Sequence, residues 1–103
     1  MTEILGKWTQ GLDQPYPGLW FEFKADGTFQ AEYDAYGIVS GGTYTVEGDQ
    51  IDMDQTSHTF GLIGQFKGIF AVEEDVLKMA VAEGPDHPRP QDLTNARLYQ
   101  KTL

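Results

Sequence analysis

Residues 21–33 read FEFKADGTFQAEY, and the fold follows from how this stretch is read. Phe21 and Phe23 alternate with Glu22 and Lys24, and Phe29, Ala31 and Tyr33 alternate with Gln30 and Glu32. A period of two puts one set of side chains on each face of a strand. Asp26-Gly27 stands between the two runs, and glycine tolerates the positive φ that a tight turn needs, so the stretch predicts a β-hairpin.

The same pattern continues along the chain. No window keeps an i, i+3, i+4, i+7 apolar pattern for long, so helix signals are nearly absent. Eight strands are predicted, over 4–10, 19–25, 28–35, 42–47, 49–55, 65–73, 75–82 and 95–101. The 103 residues make one domain. The same strands could pack as a β-sandwich, but short sequential hairpins favour a meander. Eight meandering strands can close and leave no exposed edge. The expected fold is all-β: an eight-stranded antiparallel up-and-down meander closed into a small barrel over residues 1–103.

In such a meander, alternate connections lie at opposite ends. The short ones, "ADG", "EGD" and "EED", carry Asp26, Glu47, Asp49, Glu73, Glu74 and Asp75, which makes one end tight and acidic. The long ones, "GLDQPYPG", "AYGIVSG", "TSHTFGLIG" and "EGPDHPRPQDLT", share the other end. They bring Tyr16, Tyr36, Ile38, Val39, Phe60, Leu62 and Ile63 to one rim. Apolar residues on glycine-flanked loops suit a barrel mouth that admits an apolar ligand. The same side chains could instead turn inward and plug the barrel. The proline-rich last connection reads as a stiff segment crossing the barrel end.

Alternation also selects an inward face: Phe21, Phe23, Phe29, Tyr33, Tyr44, Met53, Phe66, Phe70 and either Leu77 or Met79. Nine large side chains could nearly fill so small a barrel. The other reading is a shallow apolar cup under the rim, with Tyr33 and Tyr44 offering hydroxyls. The ligand-binding candidates are therefore Tyr16, Tyr33, Tyr36, Ile38, Val39, Tyr44, Phe60, Leu62, Ile63 and Phe66.

Composition narrows the partners. Sixteen acidic residues against seven basic ones give a formal net charge of -9, which opposes nucleic acid and anionic membrane surfaces. No cysteine is present, so disulfides, thiolate metal sites and cysteine nucleophiles are excluded. No stretch approaches a membrane span. The opening MTEILGKW lacks a basic region followed by a long apolar run, so no signal peptide is expected and the cytoplasm is favoured. His58 and His87, with Asp86 or Asp92, are the only grouping that suggests a metal or acid–base site, and loop histidines of this kind are more often solvated. Asp49, Asp52 and Asp54 have the wrong spacing for a calcium loop, and Asp52 and Asp54 fall on an outer strand face. Ser57 and His58 are neighbours on a strand and point apart. No catalytic set, metal or cofactor is expected.

Gly6-Lys7-Trp8 resembles the G-x-W signature of the lipocalin superfamily. The order of motifs over nearly the whole chain is similar to that of small bacterial lipocalin-like domains: the G-x-W strand, the hairpin from Phe23 to Phe29, the Gly42–Ile51 hairpin, and a last strand with basic residues. The chain lacks a Thr-Asp-Tyr motif between the sixth and seventh strands. The resemblance implies a lipocalin-like barrel with small-molecule binding. It also implies that Trp8 closes the tight-turn end under a basic side chain. Arg97 is the better match for that role and Lys101 the fallback. The leading functional expectation is a carrier or sensor for a small hydrophobic molecule. The alternative is a filled barrel whose rim pairs with another protein or with a second copy as a homodimer. An enzyme using His58 and carboxylates ranks third.

Overall fold

The computed structural model describes residues 4–82, 84–85 and 87–102. Its strands are β1 (Gly6–Gln10), β2 (Trp20–Phe23), β3 (Thr28–Tyr33), β4 (Ile38–Glu47), β5 (Gln50–His58), β6 (Gly64–Glu73), β7 (Val76–Val81) and β8 (Arg97–Thr102). Each pairs antiparallel with the next, and β8 returns to pair with β1, so the meander closes into a barrel. The 21–33 hairpin forms as read, with Phe23 opposite Phe29. Among the described residues no helix is long and apolar enough to cross a membrane.

The third connection departs from expectation. Ile38, Val39 and Ser40 belong to β4, opposite Tyr33, Glu32 and Ala31. Only a single 3-10 turn at Asp34–Tyr36, followed by Gly37, joins β3 to β4. The sequence predicts this strand only from residue 42; its first four residues are hidden by composition, because the inward position between Ile38 and Gly42 is the small, polar Ser40. The ladder to β5 shifts register between Gly41 and Gly42. A Cβ on Gly42 would overlap the Asp54 carbonyl oxygen, so only glycine lets β4 and β5 approach there. The fifth connection also shortens, since β5 runs to His58.

The tight-turn end is packed solid. Trp8, Phe23, Tyr44, Ile51, Phe70, Leu77 and Met79 form one buried cluster with Ile4, so Leu77 and Met79 both face inward. The Trp8 indole is fully buried and donates from Nε1 to the Ile4 carbonyl at 2.8 Å. The basic side chain over it is Lys101, with Nζ 4.9 Å from the ring centroid. Register explains why it is not Arg97. Trp8 lies opposite Lys101 and Gln10 opposite Tyr99, so Arg97 falls beyond the end of β1, at the long-loop end. Gly6 makes room for the lysine: a Cβ there would stand 2.9 Å from Lys101 Cε.

The last connection does not simply cross the barrel end. Arg89 donates to the Gly68 carbonyl at 2.8 Å and the Ile51 carbonyl at 3.2 Å, and pairs with Asp52 at 2.6 Å. Asp52 is on the outer face between inward Ile51 and Met53, so this segment is a strap clipped to the outer wall. Ile69 and Ala80, an outward-facing pair on β6 and β7, are buried on that flank.

Three substitutions test these assignments. Gly42→Ala should destabilise the barrel by about 3 kcal/mol or more in urea denaturation, because backbone must move to admit the methyl group. Lys101→Met should cost about 0.5–2 kcal/mol through the lost cation–π contact. Arg97→Met should stay within about 0.5 kcal/mol of the parent. The reverse order would refute the assignment of Lys101 to Trp8.

Candidate functional site

Toward the long-loop end the barrel interior is not filled, although Phe21 still meets Phe29 and Tyr99 at ring-centroid distances of 6.3 and 5.8 Å. A cavity of about 410 Å³ opens there, within the size range of small-molecule sites. Phe21, Phe29, Met53 and Phe66 make its apolar wall, and Ala31 and Ser40 leave space because they are small. The strands position these groups by alternation: Phe21 on β2, Phe29 and Ala31 on β3, Met53 on β5 and Phe66 on β6 all point inward.

The candidate residues divide into three groups. Tyr16, Tyr33, Ile38, Leu62 and Phe66 border the cavity. Tyr16 and Tyr33 meet edge to face at 5.9 Å, and Tyr33 meets Tyr36 in the same way at 5.1 Å, which makes an aromatic corner on the rim. Leu62 is held by Gln55, whose side-chain amide donates to its carbonyl at 2.5 Å. Tyr36, Val39, Phe60 and Ile63 do not border the cavity and are exposed. Val39 is on a strand, bonded through its backbone to Thr59. Tyr44 is at the packed end, where its hydroxyl donates to the Lys24 carbonyl at 2.8 Å.

Sequence reading missed the polar floor of the cup. Gln10 is buried, 2% exposed, and its side chain is fixed at both ends. Its Oε1 accepts from the Tyr16 backbone at 3.1 Å, and its Nε2 donates to the Tyr99 hydroxyl at 3.1 Å. The available signal was alternation from Trp8, which puts Gln10 on the inward face of β1. Arg97, two residues before Tyr99 on the same face of β8, also borders the cavity. Burial pushes the Tyr99 hydroxyl up to about 12, although the Gln10 hydrogen bond and the Arg97 charge act in the other direction.

Among the described residues the histidines do not assemble a site. His58 borders the cavity, but its Nδ1 accepts from the Phe60 backbone at 3.0 Å. His87 Nδ1 lies 3.2 Å from the Pro85 carbonyl oxygen. Asp92 accepts from the Thr94 backbone, and Asp86 lies outside the described residues. No cluster of three potential metal ligands occurs among the described residues.

Comparison with protein-family models, with curated proteins and with solved structures finds no match to this chain.

Tyr99 gives the site a pH signature. Its folded value is above its ordinary value of 10.0, so the folded state holds the proton more tightly than the unfolded state. The resulting stability is present below pH 10 and is lost as pH rises toward 12, by on the order of 2–3 kcal/mol. Denaturation followed from pH 9 to pH 12 should show this loss, and Tyr99→Phe should flatten it. An equal slope in both proteins would contradict the buried, protonated Tyr99.

Proposed function

We propose that this barrel is a lipocalin-like binding protein, a carrier or sensor, that holds a small apolar molecule in the cup at its long-loop end. One observation supports this reading above the others. The interior is packed at one end and hollow at the other, and the hollow is walled by Phe21, Phe29, Met53 and Phe66. A barrel serving only as a scaffold would gain by filling this space, since buried voids forfeit packing energy. An open apolar cup with few polar groups is the usual form of a small-molecule site.

A second reading has its own observation. Tyr36, Phe60 and Ile63 are 70%, 72% and 56% exposed and lie off the cavity. Such residues could associate with a second copy of the chain.

Ala31→Leu separates the two readings. Ala31 is inward and buried, and leucine there would occupy cup volume. Uptake of an apolar fluorescent probe should fall about tenfold or more while the melting temperature holds or rises. Unchanged uptake, or no uptake by the parent, contradicts the binding reading. Ile63→Asp should leave uptake intact, because Ile63 is off the cup. If it dissolves a dimer seen by sedimentation, the rim is an association surface.

A further inference from the structure

We infer that the molecule held in the cup carries a carboxylate, bound by the Arg97 guanidinium and the Tyr99 hydroxyl, with its apolar tail among Phe21, Phe29, Met53 and Phe66. This rests on the binding role proposed above and adds the chemical class of the ligand.

Three features of β8 and its surroundings carry the inference. Arg97 borders the cup and also a second cavity of about 780 Å³ between the strap and β7. Among the described residues its guanidinium has no carboxylate partner, and its hydrogen bond goes to the Asn95 carbonyl at 3.1 Å. An arginine that lies on the wall of an apolar cavity and pairs with no carboxylate among the described residues is a group with bonding capacity to spare.

Tyr99 has the complementary property. Gln10 is oriented by the Tyr16 backbone N–H on its Oε1, so its Nε2 must donate to the Tyr99 oxygen. The tyrosine is therefore an acceptor toward Gln10. Its own proton finds no acceptor among the described residues and is left to donate.

The third feature is position. β8 pairs with β7 only as far as Met79 opposite Arg97, while β7 continues to Val81. Val81, Ala82, Arg97 and Tyr99 border both cavities, so the two meet at the place where β7 and β8 part. A head group bound there would sit at a wet margin, and the tail would extend into the apolar cup. A carboxylate fits a planar guanidinium with two parallel hydrogen bonds and can still accept from a hydroxyl.

The overall charge argues in the opposite direction, which sharpens the test. A net charge of -9 would draw a cationic amphiphile if long-range attraction decided. At about 0.1 M salt, charges farther than about 10 Å are screened, so the adjacent arginine should decide instead.

Decanoate, decanol and decylammonium differ in head group and share a tail. Titrated calorimetrically at neutral pH and about 0.1 M salt, below their aggregation limits, decanoate should bind about tenfold or more tighter than decanol, with decylammonium weakest. Arg97→Gln should bring decanoate to the level of decanol measured in the same variant, and Lys101→Gln, at the packed end, should leave the decanoate preference intact. Equal affinity for decanoate and decanol, or a preference for decylammonium, overturns the carboxylate inference and leaves the binding role standing. Binding of none of the three overturns both. The comparison in the parent protein decides without any variant.

Discussion

Pairing of β1 with β8 is the constraint on which the rest of the structure depends. Without it the meander is an open sheet with two bare edges, and its inward side chains have no opposite wall. The pairing is locked at one place. Trp8 fills the packed end, Lys101 lies over its indole, and Gly6 leaves room for the lysine stem. Lys101 Nζ also donates to the Leu5 carbonyl at 3.0 Å, which ties the last strand to the segment leading into the first. The register fixed there sends Tyr99 and Arg97 toward the other end of the interior. One lock therefore sets both closure and the polar lining of the cup.

From this asymmetry follows a division of labour along the barrel axis. The packed end supplies stability through burial of Trp8, Phe23, Ile51, Leu77 and Met79, side chains worth roughly 1.5–3 kcal/mol each when removed from water. The hollow end gives up some of that packing. Small residues at Ala31 and Ser40, where larger ones would fit, keep it open. The strap adds an outer layer on β6 and β7, pinned by Arg89 to two carbonyls and Asp52.

The barrel was legible in the sequence where alternation was written in large apolar residues. The 21–33 hairpin and the strands of Met53, Phe66 and Phe70 are of that kind. It was illegible where small residues occupy the inward face. Ile38–Gly41 read as a loop because Ser40 and Gly41 gave no apolar signal, although Ser40 is where the wall thins to make the cup. The choice of Lys101 over Arg97 depends on barrel shear, which links residues far apart in the chain and leaves no local trace. Arg89 was equally hidden, since two of its partners are backbone carbonyls and the third, Asp52, is far away in the chain. The apolar rim was legible as residues but not as directions: Leu62 turns to the cup while Ile63, its neighbour, turns away.

The central claim is that one end of this barrel is solid and the other receives a small apolar molecule. Methyl NMR during titration with decanol tests it most directly. The account predicts shifts at Ala31, Met53, Leu62 and Val81, which border the cup, and none at Ile51 or Leu77 in the packed end. Shifts spread evenly over both groups, or confined to Ile63 and Val39 on the outer rim, would contradict it.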